Sequence, residues 1–557
     1  MCTTMIITKS ATKNGSMVVT HSDDDELSDQ RVIRVPAADH VKGAARGVLA
    51  EAYDYPRLVS KTRGQWYDTP GWEVTPYIGE IPQVEHTYAY FDGNYGIMNE
   101  HNLMMGECTN GARHQPGFVT AEEAEKTGKH IRLFYSSELS RIALERCKTA
   151  RDAIRLMGDL IDEYGYYSGG ETLLVADVDE AWVFEMCALP DETHHSAWIA
   201  QRVPDGEVFV AANTFRIRDI VGGDDQMFSG HLLDDLAGCG LWDREKNAIC
   251  DWLPTISEGE YNHPYYSLRR IWRVLDRVNP DLALSPWVQD TYTTDYPFSA
   301  PPNRKLSREE IFDLYRDHYE GTEFDMTKGV AAGPYGDPHR FVGPYDGKQN
   351  SPDSSGRVVA GAWERSISIF YQGYSFVLEV DPNAPKGADG IMWFAPDVSY
   401  TSVFTPFWAN CSDLPKSFQT GSPREYDDNA AWWVFDLLGN WARLNWQRMT
   451  QVDIKPMQAT LETRSFEKVE AARERVLRGE NAVKVVTEIA DANAGFILGE
   501  WQALTRKLFA KYADGYLNPG PDDRSSARDI GYPASWLEVT NYQEGPVSYQ
   551  MPLRRPG

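Results

Sequence analysis

An apolar run, Met5-Ile6-Ile7, opens the chain, and Met17-Val18-Val19-Thr20-His21 returns after Lys13-Asn14-Gly15. Short apolar segments around an Asn-Gly pair predict a β-hairpin over residues 1–25. Its return strand carries His21, Ser22, Asp23 and Asp24 back toward residue 2. Residues 30–85 mix Pro, Gly, Tyr and Trp without a sustained period, which reads as irregular structure able to wall a pocket. Tyr88-Ala89-Tyr90-Phe91 and Ile97-Met98 predict more strand. Thr120-Ala121-Glu122-Glu123 has the form of a capping box, and Ala153, Ile154, Met157, Leu160, Ile161 and Tyr164 recur at helical spacing. Two helices are predicted between Thr120 and Gly165.

Thr172-Leu173-Leu174-Val175-Ala176 and Trp182-Val183-Phe184 flank Asp177-Val178-Asp179-Glu180, the pattern of a second hairpin, and Val208-Phe209-Val210-Ala211-Ala212 predicts a strand ending at Asn213. Residues 363–377 and 391–408 read as strand through Ser366-Ile367-Ser368-Ile369 and Ser402-Val403-Phe404. After about residue 425 the pattern turns helical, from Trp432-Trp433 through Trp441 to Trp446 and then in two charged amphipathic stretches, 464–478 and 480–512. The tryptophan pairs have helical spacing and are read as core or as a surface for self-association. The last stretch, with Pro519, Pro521, Pro533, Pro546, Pro552 and Pro556, reads as an extended tail. Strand groups separated by helices predict an α+β fold, divided as a sheet-containing catalytic unit over 1–424, a helical region over 425–515 packed on it and an extended tail over 516–557.

Composition narrows the function classes. Of 557 residues 42% are hydrophobic, with 17 Trp, 29 Tyr and 21 Phe, so a large core is available. A net charge of −27 argues against nucleic acid or an anionic membrane as partner. The chain lacks both an apolar run of about 18 residues and the basic-then-apolar design of a signal peptide, so a cytoplasmic location is expected. Seven scattered cysteines without a CxxC pair argue against a disulfide framework or a zinc knuckle.

Chemistry concentrates at residue 2. Removal of Met1, which a small side chain at position 2 favours, leaves Cys2 with a thiol and a free α-amine. These titrate near ~8.5 and ~8, so the amine can take the thiol proton and the thiolate can attack a carbonyl. The bland reading is that any small residue can follow Met1. Cys108 is the rival nucleophile, but it is internal and is read as packing. Adjacent His194 and His195 point to opposite faces of a strand and lack further ligands at metal-site spacing. No metal or other cofactor is expected. His339, in the loop-like Asp337-Pro338-His339-Arg340, has no supported role.

Several segments together resemble the cysteine dipeptidases of the N-terminal-nucleophile hydrolase superfamily, which are related to secernins and to choloylglycine hydrolases. They are Cys2-Thr3-Thr4 followed by Asn14-Gly15-Ser16 and His21-Ser22-Asp23-Asp24; Met98-Asn99-Glu100-His101 leading to Gly106-Glu107; Ala211-Ala212-Asn213; Leu268-Arg269-Arg270-Ile271-Trp272; Phe376-Val377; and Ser402-Val403-Phe404-Thr405-Pro406-Phe407. The segment from Ala430 to Trp446 is similar too. The resemblance implies an αββα sandwich with a helical C-terminal extension, and amide hydrolysis in small peptide substrates, chiefly dipeptides. It implies Cys2 as nucleophile, Asn213 as an oxyanion donor, Arg270 as a cation near the thiol, and Asp23 or Asp24 as the carboxylate that orients the new amine. Relatives commonly carry Arg or Lys at the position of His21 and Asn at that of Ser22. A register one residue shorter puts Thr20 and Asp23 in register instead, so the choice of aspartate and a role for His21 in thiol activation stay open. Two other readings stand beside this one: an amidase for non-peptide amides such as bile-salt conjugates or penicillins, and a secernin-like interaction protein without catalysis.

Overall fold

Met5-Ile6-Ile7 lies within strand β1 (Cys2–Ile7) of the computed structural model, which describes residues 1–190, 196–341 and 361–544. Every residue of β1 is buried, as expected for a central strand covered on both faces, and this is why the run is continuously apolar rather than alternating. The chain returns as β2 (Met17–Asp24), antiparallel, with Cys2 opposite Asp23 and Thr4 opposite His21. Gly15 in the connection has φ 78°, in the left-handed region that glycine enters without steric cost.

β1 and β2 are central in a seven-stranded antiparallel sheet. Its order is Ser299–Ala300, Val208–Ala211, β1, β2, Gln372–Val380, Gly390–Pro396 and Thr405–Trp408. A second sheet of eight strands runs Gln226–Phe228, Ser196–Arg202, Ala181–Ala188, Gly170–Ala176, Met104–Asn110, Gly96–Asn99, Tyr90–Asp92 and Ile33–Val35. The sheets face each other through β1, β2 and Met104–Asn110. Gly106 permits the closest approach: a methyl group there would lie 2.8 Å from Thr4 Oγ1 and 3.1 Å from the Thr20 carbonyl. Helices Ser136–Arg146 and Ala150–Tyr164 cover the outside of the eight-stranded sheet, and Leu268–Val278, Ala431–Ala442 and Ala482–Lys511 cover the outside of the other. The result is an α+β fold in four layers, helix, sheet, sheet, helix.

The Ala150–Tyr164 helix shows how the sequence makes these layers. Thr149 caps it by accepting from the Asp152 N–H, Gly165 ends it at φ 73°, and Ala153, Ile154, Met157, Leu160 and Ile161 face inward. Full burial of a side chain such as Ile154 or Met157 stabilises by roughly 1.5–3 kcal/mol.

The structure corrects the sequence reading in several places. Residues 120–165 hold three helices, the first being the short Ala121–Thr127 capped by Thr120. Residues 30–85 contain a two-stranded ribbon, Ala45–Leu49 with Tyr77–Pro82. Ser366-Ile367-Ser368-Ile369 is not strand: the Ser366 hydroxyl donates to the Ser368 carbonyl, and Ile369 N–H to the Ile367 carbonyl, so local bonds replace a ladder. Ser402-Val403-Phe404 precedes the strand it was expected to form, because helix side chains claim its backbone. Gln458 donates to the Ser402 carbonyl and Glu462 accepts from the Phe404 N–H at 3.1 Å. Trp446 is fully buried against Tyr400, while Trp432, Trp433 and Trp441 are half-buried. In the tail, Tyr516–Leu517 pairs with Arg528–Asp529 and a short helix spans Ala534–Val539.

Candidate active site

Because Cys2 and Asp23 face each other across the hairpin, their side chains share one face. Met1 and Asp24 exchange both backbone hydrogen bonds, 3.0 and 2.9 Å, so Cys2 and Asp23 form the adjoining pair without ladder bonds, where side chains come closest. His21, two residues before Asp23, points the same way. The Cys2 thiol donates to Glu107 Oε2 at 3.0 Å, from the facing sheet. His21 Nδ1 lies 2.9 Å from the Glu107 carbonyl oxygen, and its ring packs on Phe376 at 5.1 Å. His21 Nε2 is buried with no hydrogen-bond partner among the described residues. Asp23 accepts from the Asn94 amide. Asp24 points to the opposite face, where its carboxylate accepts from Arg365 and from the Ser22 hydroxyl.

These contacts set the electrostatics. Burial pushes the Cys2 thiol well above its ordinary value; the Glu107 charge pushes it further and the Met1 ammonium opposes. Burial also raises the Asp23 carboxyl, against the attraction of His21. Behind Glu107, Glu171 accepts from the Tyr135 hydroxyl, and burial together with the Glu107 charge holds its carboxyl well above the usual range.

Arg270, on helix Leu268–Val278, is fully buried and reaches the start of β1. It donates to the Cys2 carbonyl at 2.7 Å, to Thr3 Oγ1 at 3.1 Å and to Asn213 Oδ1 at 2.8 Å. Its contact with Cys2 therefore runs through the carbonyl rather than the sulfur. Asn213 follows Val208–Ala211 with φ 57°, a left-handed conformation that asparagine tolerates better than most residues. Its side-chain amide donates to the Thr109 carbonyl at 2.7 Å, and its backbone N–H to Cys108 Sγ at 2.9 Å. Cys108 is fully buried, with its sulfur 3.8 Å from the Cys2 carbonyl oxygen, and burial raises its thiol; it packs behind the nucleophile candidate.

Cys2 opens onto a cavity of about 670 Å³, into which Met1 projects with its sulfur against the Tyr266 hydroxyl. Asp25, Glu26, Glu51 and Glu258 line it on the acidic side, and Arg340 and Arg365 supply positive charge. Asp25 is raised to about 6 by burial and the nearby Asp23 charge. Arg340 donates only to backbone carbonyls among the described residues, those of Asp337, His339 and Met326. His339 is turned away: its Nδ1 is 2.7 Å from Asp337 Oδ1 and its ring packs against Trp446. His194 and His195 lie outside the described residues.

The hairpin thus gathers Cys2, His21 and Asp23 on one face, with Asp24 turned to the other, and Arg270 links Cys2 to Asn213. Glu107, Glu171 and Arg365 also belong to the site and went unassigned in the sequence. Gly106-Glu107 stood among the recognised segments, but nothing near it in the chain marks Glu107 as a neighbour of residue 2.

A model of peptidase family C69 matches residues 1–458. The chain belongs to peptidase family C69. This is a family of cysteine peptidases of the N-terminal-nucleophile type, which agrees with a cysteine at the start of a central strand between two facing sheets. A probable dipeptidase of Latilactobacillus sakei is 22% identical over 472 residues, covering 83% of this chain and 85% of that protein. A dipeptidase of Bifidobacterium longum is 22% identical over 447 residues, 77% of this chain and 75% of its own length. Dipeptidase A of Lactobacillus helveticus is 24% identical over 317 residues, 55% and 56% of the two chains. No helix among the described residues is long and apolar enough to cross a membrane.

Proposed function

We propose that this C69 peptidase is a dipeptidase whose nucleophile is Cys2, freed by removal of Met1. The observation that carries the reading is the placement of the Cys2 thiol on the wall of the 670 Å³ cavity, where the Met1 side chain occupies the space next to it. The names of the relatives supply the substrate class. In the proposed reaction the new α-amine accepts the thiol proton, which offsets the burial that otherwise keeps the thiol protonated. The thiolate attacks the peptide carbonyl. Asn213 has two amide N–H bonds and spends one on Thr109, so the second is assigned to the oxyanion. The amine then gives its proton to the departing nitrogen, and water hydrolyses the thioester.

Asp23 is assigned to orient the amine, since it shares the face of Cys2 while Asp24 is held by Arg365. Arg270 acts as a positioning residue, holding the Cys2 carbonyl and the Asn213 side chain in fixed relation. The carboxylates on the cavity wall suit the α-ammonium of a short peptide, and Arg340 suits its carboxylate. Cys2, Cys108, Cys147, Cys187, Cys250 and Cys411 carry free thiols, which supports a cytoplasmic site of action.

The test is intact mass before and after thiol alkylation, with hydrolysis of a mixed dipeptide panel followed on the same sample. The expected result is a mass lacking Met1 and activity that falls as Cys2 is labelled. Full activity in a folded Cys2→Ala variant overturns the mechanism. Turnover of acyl amides but not dipeptides overturns the substrate class.

A further inference from the structure

We propose that the processed N-terminus is also a binding site for a thiophilic divalent cation, zinc, held by Cys2 Sγ, the Cys2 α-amine, His21 Nε2 and the Asp23 carboxylate, and that occupancy switches the peptidase off. This inference rests on the proposed removal of Met1, which supplies the amine.

Ligand-bearing atoms of Cys2, His21 and Asp23 all lie within 4.8 Å of one another. Zn–S and Zn–N bonds of roughly 2.3 and 2.0–2.1 Å require somewhat shorter spacings, within reach of small side-chain rotations. His21 is the second observation. The residue is 1% exposed, yet Nε2 has no partner among the described residues. His21 Nδ1 lies 2.9 Å from the Glu107 carbonyl oxygen and 3.4 Å from the Glu107 N–H; in the tautomer protonated on Nδ1, which the nearer carbonyl favours, the lone pair sits on Nε2, the arrangement that outer contacts impose on metal-binding imidazoles. Asp23 is oriented in the same way by Asn94. A terminal cysteine adds the fourth donor, because its amine and thiolate close a small chelate ring on one cation.

One sulfur, two nitrogens and one carboxylate oxygen suit zinc rather than magnesium or calcium. Thiolate and Asp23 carboxylate together neutralise the dication, and the Glu107 side chain, 3.0 Å from the Cys2 sulfur, adds a further carboxylate beside it, which limits the cost of placing the ion in a buried site. Binding releases the thiol proton and consumes both the thiolate and the amine lone pair, so nucleophile and base are lost together. The ion needs no redox partner and leaves when a chelator removes it.

The experiment titrates Met1-free protein, stripped with chelator, with Co²⁺ and then displaces it with Zn²⁺. Expected are one ion per chain, the intense visible bands of tetrahedral cobalt with a thiolate charge-transfer band, and loss of dipeptide hydrolysis that chelator reverses. His21→Ala should weaken binding on the order of 100-fold or more, beyond what loss of an outer contact costs. Should that variant not fold, Asp23→Asn serves in its place and should weaken binding too. Protein made with methionine aminopeptidase inhibited, and so retaining Met1, should bind more weakly. Stoichiometric binding that survives Cys2→Ala, or affinity unchanged in both His21→Ala and Asp23→Asn, overturns the proposal. If Met1 is absent and dipeptides are turned over but cobalt gives no thiolate band, this inference alone fails. If mass shows Met1 retained and no dipeptide is hydrolysed, the functional reading beneath it fails first.

Discussion

Among the described residues Arg270 is a buried cation with no carboxylate in contact, and its charge is spread over neutral acceptors on three segments. Only a planar fork reaches the Cys2 carbonyl, the Thr3 hydroxyl and the Asn213 side chain at once; an ammonium acts from a single point. Arg270→Lys is therefore expected to fold but to lose about 100-fold in kcat with a smaller change in KM, the size of effect that a small misplacement of reacting groups produces. Steady-state kinetics on a dipeptide checks this, and an unchanged kcat would reduce Arg270 to a structural role. Residues at this scale were unequally legible in the sequence. Cys2, His21, Asp23 and Asp24 lie on one hairpin, whose two apolar runs pair as β1 and β2 across the connection 8–16. Glu107 touches the thiol from 105 positions away on another sheet, a distance over which no local pattern carries information. Arg270 and Asn213 were found only because the segments around them resemble a family.

At the scale of elements, caps and close approaches decide stability. Gly165 ends the Ala150–Tyr164 helix at φ 73°, and a methyl group there would collide with the Ile131 carbonyl oxygen, a backbone atom that cannot rotate away. Gly165→Ala is expected to cost about 2–4 kcal/mol, read from the shift in denaturant midpoint. A second junction is sensitive to pH. Asp397, buried just after strand Gly390–Pro396, and the half-buried Asp436, on helix Ala431–Ala442, carry carboxyls that repel each other. Burial and then the Asp436 charge hold Asp397 well above the carboxylate range, and burial raises Asp436 to about 6. Folding favours their protonated forms, so this contribution is complete below the unfolded value of ~3.9 and is lost as pH rises through about 6. Asp436→Asn should then stabilise by about 1–3 kcal/mol near neutral pH and by nothing below about pH 4. Denaturant melts at the two pH values check the sign. Neither junction was visible in the sequence. Helices were legible where apolar residues held their period, as at Ala153 to Ile161, whereas alternation misled at Ser366 to Ile369, because serine hydroxyls offered the backbone another partner.

For the whole molecule the question is whether residues 425–515 form a unit apart from 1–424. The contacts argue that they do not. Helix Ala482–Lys511 packs on Thr405–Trp408, the edge strand of the seven-stranded sheet. Glu462 pairs with Arg316 and takes the Phe404 N–H, Gln458 donates to the Ser402 carbonyl, and Arg473 pairs with Asp381 at 3.0 Å. The family match ends at residue 458, inside helix Lys455–Leu477, where no structural boundary exists. Cutting the chain after residue 424 removes Glu462, leaves Arg316 only its longer pairing with Asp313 at 3.6 Å, and uncovers an edge strand, a template for association. The 1–424 fragment is expected to aggregate and to show no dipeptide hydrolysis even with Met1 removed. Ending the chain after Asn518 removes described residues that are mostly exposed and should shift Tm by only a few degrees while retaining activity. Expression of both fragments, with light scattering and thermal melts, separates the cases. A soluble, active 1–424 fragment would show that the helices are an addition to a self-sufficient catalytic unit. Loss of activity on removing only the tail would mean that it reaches the cavity, which none of its described residues lines.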